Sequence, residues 1–301
     1  MINELLTIRD FYRYAISRFQ EAGLYYGHGT DNARDEAFYL IWHALHLPYD
    51  TSAEFLDARL IAREKEILLK LIHQRVETRI PVAYLTKEAW FANLQFYVDE
   101  RVLIPRSPIA ELIENQFQPW INPDQVRDIL DLCTGSGCIA IACAKAFPEA
   151  HVDASDISAD ALAVAKINTL RHHVEHQVTL HQSDLFASLI NKKYDIIVSN
   201  PPYVSHEEMA GLPAEYNHEP ALGLVAGTLG LDFALQILIQ AHDHLKPHGI
   251  LIVEVGNSEE ALAEKLPKVP FTWLEFNRGG GGVFMLTAEQ LHQYIADLKT
   301  V

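Results

Sequence analysis

The Asn-Pro-Pro-Tyr run at residues 200–203 has the most chemically specific spacing in the sequence. It follows an apolar β-like run, and its two prolines stiffen the loop and remove two N–H donors. The Asn200 amide and the Pro201 carbonyl are left as acceptors for the two hydrogens of a planar amino group. Pro202 and Tyr203 complete the loop, and Tyr203 offers an aromatic face to that group. The pattern suits chemistry on an amide or exocyclic amino nitrogen, such as methyl transfer.

A second motif, DLCTGSG at residues 131–137, predicts a turn between a buried strand and a helix. Gly135 and Gly137 let the backbone approach a ligand, and the helix N-terminus presents unpaired N–H groups. Asp156 stands 21 residues after Gly135, at the end of the next predicted strand. A carboxylate there accepts hydrogen bonds from ribose hydroxyls, and the alternative is a cap for the helix starting near Ser158.

A third acidic residue, Asp184, follows the next predicted strand in the run SDLF. It is placed to accept a hydrogen bond from an adenine amino group, with Leu185 packed on the ring, and the alternative is a loop-capping role. Together the three features predict a nucleotide-like cofactor. The residues predicted to bind it are Cys133, Thr134, Gly135, Ser136, Gly137, Asp156, Ile157, Asp184, Leu185 and Asn200.

Strand-like and helical runs alternate from about residue 124, which predicts a mostly parallel α/β sheet with helices on both faces. The last two strands have no long helix between them, which indicates an antiparallel pair at the sheet edge. The predicted strands are Asp128–Cys133, His151–Ser155, Gln177–Gln182, Asp195–Ser199, Ile250–Val255, Phe271–Phe276 and Val283–Thr287.

Helical periodicity over the first part of the chain predicts a small helical domain at residues 1–77, with a packing or substrate-recognition role. Its second helix is expected to be capped by Thr30 or Asp31 and to end before Pro48. Residues 78–105 are expected to be a connector containing a β-hairpin, because residues 91–98 are rich in aromatics. Residues 106–301 are then the catalytic domain.

Composition and charge exclude several classes of protein. The 49% hydrophobic and 21% charged residues are close to globular averages, and three cysteines are too few for a disulfide framework. The apolar runs are too short to span a membrane and the start of the sequence has no secretory pattern, so a cytoplasmic protein is expected. The net charge is −16, of which −12 lies in residues 121–301. Such a charge disfavours a free nucleic-acid substrate.

The motifs DLCTGSG, SDLF and NPPY, with Asp156 between them, resemble the class I S-adenosylmethionine-dependent methyltransferases of the HemK type. The flank at residues 79–108, with Pro81-x-x-Tyr84 and Val102-Leu103-Ile104-Pro105-Arg106, resembles that family's connector. The resemblance covers most of the chain. It implies a Rossmann-like seven-stranded sheet with an antiparallel edge strand, S-adenosylmethionine as cofactor, and methylation of a glutamine side-chain nitrogen in a protein.

The branch of this family is indicated by residues 105–111. Release-factor methyltransferases typically read Pro-Arg-Pro-(Glu/Asp)-Thr-Glu, whereas this chain reads Pro-Arg-Ser-Pro-Ile-Ala-Glu. The variant resembles the PrmB branch, which methylates large-subunit ribosomal protein number three, and it implies a basic ribosomal protein as partner. Ala110 stands where the release-factor branch has an acidic residue, and Leu185 where that branch often has Trp.

Other functions remain as alternatives at this stage. Glutamine methylation of release factors belongs to the same family, and Asn-Pro-Pro-Tyr also serves adenine N6 methylation. Two alternatives belong to other functional classes. One is an NAD-dependent oxidoreductase that uses the Gly-x-Gly-x-x-Ala turn, and the other is a non-catalytic cofactor-binding or assembly protein. The histidines at 172, 173, 176 and 181 lack a carboxylate pattern, so no metal is expected. Arg106 and Glu254 lie near the predicted site with either binding or structural roles.

Overall fold

The computed structural model describes residues 4–300, which form two compact units. The first unit consists of residues up to 89 together with 98–100 and 213–218. The second consists of residues 90–97, 101–212 and those from 219 onward. The predicted boundaries at 77 and 105 stay a prediction. No helix within residues 4–300 is long and apolar enough to cross a membrane.

The first unit is built on helices whose apolar faces meet in one core. Thr7 caps the first helix in a capping box with Asp10, and Asn32 caps the second by accepting from the backbone of Arg34 and Asp35. The cap is thus Asn32, and the prediction of Thr30 or Asp31 was wrong. The helices are α1 (Ile8–Glu21), α2 (Ala33–Ala44), α3 (Ala62–Thr78) and α4 (Val82–Thr86), with a 3-10 turn at Ala53–Asp57.

A buried ionic cluster joins the later segment 213–218 to these helices. Arg75 is fully buried, and its guanidinium donates to Glu36 at 3.1 Å and to Glu215 at 3.3 Å. Glu215 also accepts from the backbone N–H of Tyr25 at 3.0 Å. Because removing either partner of a buried ion pair leaves an uncompensated charge, this cluster fixes the segment to the helical unit.

A short hairpin follows the helices, as the aromatic run predicted. Its strands are β1 (Glu88–Phe91) and β2 (Leu94–Tyr97). The two turn residues, Ala92 and Asn93, both have a positive φ, at 46° and 61°. This is the conformation that a two-residue hairpin turn requires, because it matches the twist of the paired strands.

The second unit contains a seven-stranded sheet in the order β5-β4-β3-β6-β7-β9-β8. The first five strands in this order are parallel, and β9 runs antiparallel to both β7 and β8, which confirms the predicted fold class and edge. The strands are β3 (Asp128–Leu132), β4 (His151–Asp156), β5 (Val178–Gln182), β6 (Tyr194–Ser199), β7 (Leu245–Glu254), β8 (Thr272–Trp273) and β9 (Val283–Thr287). The strand β7 begins five residues earlier than predicted, and β8 is shorter.

Helices cover both faces of this sheet because successive strand residues point to opposite sides. Ile129 faces the core formed with α5 and α6, whereas Leu130 faces the core formed with α9, α10 and α11. The helices of this unit are α5 (Ile109–Glu114), α6 (Cys138–Ala146), α7 (Ala159–Arg171), α8 (His206–Gly211), α9 (Asp232–Ala241), α10 (Glu259–Lys265), α11 (Ala288–Gln293) and α12 (Ile295–Leu298). Its 3-10 turns are Pro123–Gln125, Ala221–Gly223 and Gly256–Ser258, while the turn Ala214–His218 lies in the first unit.

Candidate active site

The glycine-rich turn lies between the end of β3 and the start of α6, as predicted. Gly135 and Gly137 have positive φ angles of 55° and 79°. A Cβ on Gly137 would lie 3.1 Å from the Cβ of Ala165 in α7, so this glycine permits close packing of two helices. A Cβ on Gly135 would meet no protein atom within 4 Å, because that position faces open space. The turn therefore presents its backbone to a cleft.

Asp156 ends β4 and is tied to this turn. One carboxylate oxygen accepts from the backbone N–H of Gly135 at 2.9 Å, and the other accepts from the N–H of Ser158 at 2.9 Å. Burial raises the pKa of Asp156, against the lowering effect of these hydrogen bonds. The helix cap itself is Ser158, whose hydroxyl accepts from Ala161. A carboxylate offers about four acceptor positions, so Asp156 can still accept a hydrogen bond from a ligand hydroxyl.

The residues after β5 form the next part of the cleft wall. Asp184 is exposed, and Leu185 is buried with a positive φ of 44°. Cys133, which follows β3 at the start of the glycine turn, also has a positive φ, at 59°. Left-handed backbone in non-glycine residues costs of order 1 kcal/mol each and concentrates at functional sites.

The carboxyl edge of the parallel strands surrounds a cleft with about 1020 Å³ of empty space, counting its open mouth. This size suits a nucleoside-sized ligand. Among the residues predicted to bind the cofactor, the cleft is lined by Cys133, Thr134, Gly135, Ser136, Asp156, Ile157, Asp184, Leu185 and Asn200. Gly137 lies behind the lining, where it packs on α7.

The Asn200–Tyr203 loop follows β6 at the same edge. Asn200 and Pro202 line the cleft, whereas Pro201 and Tyr203 do not. The phenol of Tyr203 instead donates to the carboxylate of Glu254 at 2.9 Å. The loop therefore meets the cleft through its asparagine and its second proline.

One residue that the motif reasoning missed is Asp131, the acidic residue inside the apolar strand β3. It is fully buried, and its Oδ2 atom accepts from the Thr134 hydroxyl at 2.5 Å and from the Ala140 N–H at 3.0 Å. Its Oδ1 atom has no hydrogen-bond partner. Burial, with a contribution from the Asp156 charge, raises the pKa of Asp131 to about 7. The sequence does contain a sign of this residue, an acidic side chain within an apolar strand. Burying a carboxylate costs free energy, so its presence there indicates a function.

The far wall of the cleft is a segment that the sequence motifs did not assign. Arg106 lines the cleft and pairs with the buried Glu219 through two hydrogen bonds of 2.6 and 2.8 Å. Glu219 also accepts from the backbone N–H of Ile104 at 3.0 Å. This bidentate pair holds together two cleft-lining stretches, residues 101–107 and 220–223, which are far apart in sequence.

The cysteines of the site are buried thiols. Burial raises the pKa of Cys138 to about 12 and that of Cys133 further, so neither supplies a thiolate at neutral pH. Within residues 4–300, no group of three or more His, Cys, Asp and Glu side chains is arranged to hold a metal ion.

Comparison with known proteins connects this cleft to an activity. Residues 114–214 match the family model called "Methyltransferase small domain". The ribosomal protein uL3 glutamine methyltransferases of Neisseria gonorrhoeae and Neisseria meningitidis serogroup B are each 53% identical over 289 residues. The matches cover 96% of this chain and 96% and 95% of those proteins. The chain belongs to the ribosomal protein uL3 glutamine methyltransferase family.

Among solved structures, the hMettl16 catalytic domain in complex with MAT2A 3′UTR hairpin 6 matches with a TM-score of 0.50 and 16% identity. The match covers 75% of this chain and 82% of that one. At that identity the likeness shows a shared fold.

Membership of the uL3 glutamine methyltransferase family makes this chain a methyltransferase with S-adenosylmethionine as its cofactor, which confirms both predictions. The predicted resemblance to the PrmB branch is confirmed as well. An NAD-dependent oxidoreductase and a non-catalytic binding protein are therefore excluded. The roles of individual cleft residues stay predictions.

Proposed function

We propose that this enzyme methylates the side-chain N5 atom of a glutamine in ribosomal protein uL3, with S-adenosylmethionine as methyl donor. The observation that carries the proposal is the 53% identity with uL3 glutamine methyltransferases, which extends over 96% of the chain. Both the cleft and the Asn200–Tyr203 loop lie within a match of that length. Because ribosomal proteins are made and assembled in the cytoplasm, this substrate also supports the predicted cytoplasmic location.

The residues of the cleft fit S-adenosylmethionine. The Oδ1 atom of Asp131 and the Oγ atom of Ser155 are buried without partners, and the open space beside Gly135 is unfilled by protein. Asp156 and Asp184 add carboxylates on the side where a ribose and an adenine would lie. When bound, this cofactor supplies a methyl group on a positively charged sulfur, and a cluster of carboxylates is complementary to that charge.

Asn200 is the residue we assign to the substrate amide. A glutamine nitrogen is a weak nucleophile because its lone pair is delocalised into the carbonyl. The Asn200 side-chain oxygen and the Pro201 carbonyl would accept its two N–H bonds and fix the direction of the nitrogen. Tyr203 would hold the plane of the amide. Catalysis then depends on orientation and local electrostatics: the nitrogen would take the methyl group as its bond to sulfur breaks, and the amide proton would afterwards leave to solvent water.

A basic substrate also suits the charge of the enzyme. Residues 121–301 carry 11 basic and 23 acidic side chains, a net charge of −12. A field of that sign attracts a basic ribosomal protein and repels free nucleic acid. We therefore propose a basic protein, rather than RNA or DNA, as the methyl acceptor.

The test is transfer of tritiated methyl groups from S-adenosylmethionine to separated ribosomal proteins, ribosomal RNA and a peptide release factor. We expect label on a glutamine of uL3, located by mass spectrometry of its peptides. Label found only in RNA or only in the release factor would overturn the substrate assignment. Free uL3 and assembling large subunits should be compared in the same assay, because both contain the acceptor.

The role of Asn200 is tested by Asn200→Ala, with Asn115→Ala as the matched control. Asn115 lies at the end of α5, and its amide donates to the backbone of Glu111. We expect Asn200→Ala to lower kcat by about 10²–10³-fold, the usual loss for one oriented polar group, and the control to stay near the wild-type rate. An Asn200→Ala enzyme that binds the cofactor and methylates at the wild-type rate would exclude this mechanism.

A further inference from the structure

Glu254 is a buried carboxylate whose position the cofactor cleft does not explain. It ends β7 with 4% of its surface exposed and does not line the cleft. Its Oε1 atom accepts from the Tyr203 phenol at 2.9 Å, and its Oε2 atom accepts from the Ser107 hydroxyl at 2.5 Å. Burying a carboxylate between two neutral donors is unfavourable compared with an apolar side chain, so stability does not account for it.

The Ser107 hydroxyl is oriented so that its hydrogen points to Glu254. Its oxygen accepts from the backbone N–H of Ile109 at 3.2 Å, which leaves its O–H bond to donate to the carboxylate. Ser107 itself lines the cleft. Glu254 is thus fixed by one wall of the cleft and presents its other oxygen to Tyr203.

Both the ring and the backbone carbonyl of Tyr203 have close neighbours. A Cβ on Gly256 would lie 2.5 Å from Cε2 of the ring, and a Cβ on Gly230 would collide with the Tyr203 carbonyl. The Ser258 hydroxyl donates to that carbonyl at 3.3 Å. Two glycines with positive φ therefore make room for the tyrosine, and Glu254 anchors its outer end.

We propose that Glu254 is a positioning residue for methyl transfer, which holds Tyr203, and through it the Asn200–Tyr203 loop, in the geometry that receives the glutamine amide. This inference rests on the proposed function. The carboxylate is required because it accepts from two hydroxyls at once, one on each oxygen. An amide in its place offers a single acceptor oxygen and turns an N–H donor toward one of the two hydroxyls.

The test is a double-mutant cycle in kcat with Glu254→Gln and Tyr203→Phe. Each single variant is expected to lower kcat about tenfold, because small misplacements of an orienting group have large effects on rate. The kcat of the double variant should also be about tenfold below that of the wild type, like that of each single variant, since both changes break the same hydrogen bond. Affinity for S-adenosylmethionine, measured by calorimetry, should stay within twofold because neither side chain lines the cleft.

The molecule offers a matched control pair in the same sheet. Tyr194 donates to the buried Asp153 at 2.8 Å, and neither residue lines the cleft. Asp153→Asn and Tyr194→Phe should lower the melting temperature while leaving kcat within twofold. The control separates a loss of positioning from a general loss of stability.

Three results would overturn the positioning role. They are full kcat in Glu254→Gln, a double variant slowed by the product of the single effects, and a loss found only in cofactor affinity or thermal stability. Each of these leaves the proposed function standing if the wild-type enzyme methylates uL3. A wild-type enzyme that transfers no methyl group to uL3 contradicts the proposed function, and the positioning role falls with it.

Discussion

The buried and half-buried carboxylates of the catalytic sheet form two groups with different partners. The edge group, Asp131, Asp156 and Glu254, lies at the carboxyl edge, and its hydrogen-bond donors are backbone N–H groups and neutral hydroxyls. The base group, Asp153 and Asp195, lies toward the amino ends of the strands, and each pairs with a lysine. Asp153 meets Lys192 at 2.6 Å, and Asp195 meets Lys246 at 2.8 Å.

The pKa values follow this division. Burial raises the pKa of every member of the edge group. Burial also raises the pKa of Asp153, but hydrogen bonds from Lys192, His181 and Tyr194 outweigh it and lower the pKa overall. Asp153 therefore stabilises the fold through its charge, whereas the raised pKa values of the edge group mean that the protein favours the neutral forms of these carboxyls. We expect a cationic cofactor in the adjoining cleft to favour the charged form of Asp156, which lines that cleft.

The largest effect that would sharpen this comparison is on cofactor affinity. Asp156→Asn removes a charge and one acceptor from the pair that binds Gly135 and Ser158, so S-adenosylmethionine should bind about a hundredfold more weakly. The matched control is Asp195→Asn, since Asp195 also accepts from two backbone N–H groups. Calorimetry should show an unchanged affinity for the control. Equal losses in the two variants would remove the distinction between the groups.

The base group should show its effect in stability. Asp153→Asn is expected to lower the free energy of unfolding by about 2 kcal/mol at pH 7, because it breaks charge-assisted hydrogen bonds in a buried site. Since the pKa of Asp153 is lowered by folding, this stabilisation is present above the unfolded pKa and lost as the pH falls through the folded value. Urea unfolding at a series of pH values from 7 down to about 2 measures it. A difference that persists in acid would contradict the assignment.

Asp131 should show the opposite dependence on pH. Its pKa of about 7 lies above the unfolded value, so its contribution to stability is lost as the pH rises through about 7. Between about pH 6 and pH 8 the wild type should therefore lose about 1 kcal/mol relative to Asp131→Asn. Urea unfolding of both proteins across this range gives the difference. A wild type that gains stability relative to the variant would mean that Asp131 is ionised with a favourable partner.

The smallest expected effect concerns the net negative charge of residues 121–301. If the net −12 of residues 121–301 attracts a basic ribosomal protein, raising the salt to about 0.3 M should increase the KM for uL3 about threefold. The same salt should leave kcat unchanged, because steering acts on encounter. Steady-state kinetics at several ionic strengths tests this. A KM that does not respond to salt would confine the role of the acidic charge to the cleft.

The local motifs made much of the fold predictable. The strand starting at Asp128, the glycine turn and Asp156 could be placed because strand, turn and helix signals depend on near neighbours in the chain. The antiparallel edge followed from the short connection before Val283. The early start of β7 at Leu245 could not be predicted, because Pro247 and Gly249 interrupt the apolar pattern there. In the structure, pairing with β6 extends the strand through this stretch.

The candidate site was predictable only in part. Asn200, Asp156 and Asp184 could be named because each follows a strand, and the carboxyl ends of parallel strands meet at one edge. Arg106 was also placed near the site, but its partner Glu219 could not be named, since the two residues are 113 positions apart and pair only in the folded chain. Asp131 could have been singled out as a charged residue within an apolar strand. The sequence does not show which groups its side chain contacts.

By itself, then, the sequence determined the order of the elements and the position of the glycine turn, because each depends on residues close together in the chain. It also predicted a catalytic role for the Asn200–Tyr203 loop, which stays a prediction. The tertiary structure alone decided that the Tyr203 phenol donates to Glu254, that Ser107 completes this contact, and that burial raises the pKa values of the edge carboxyls. The reason is physical: burial, pKa and hydrogen-bond partners depend on which distant segments meet, and a linear pattern does not contain that information.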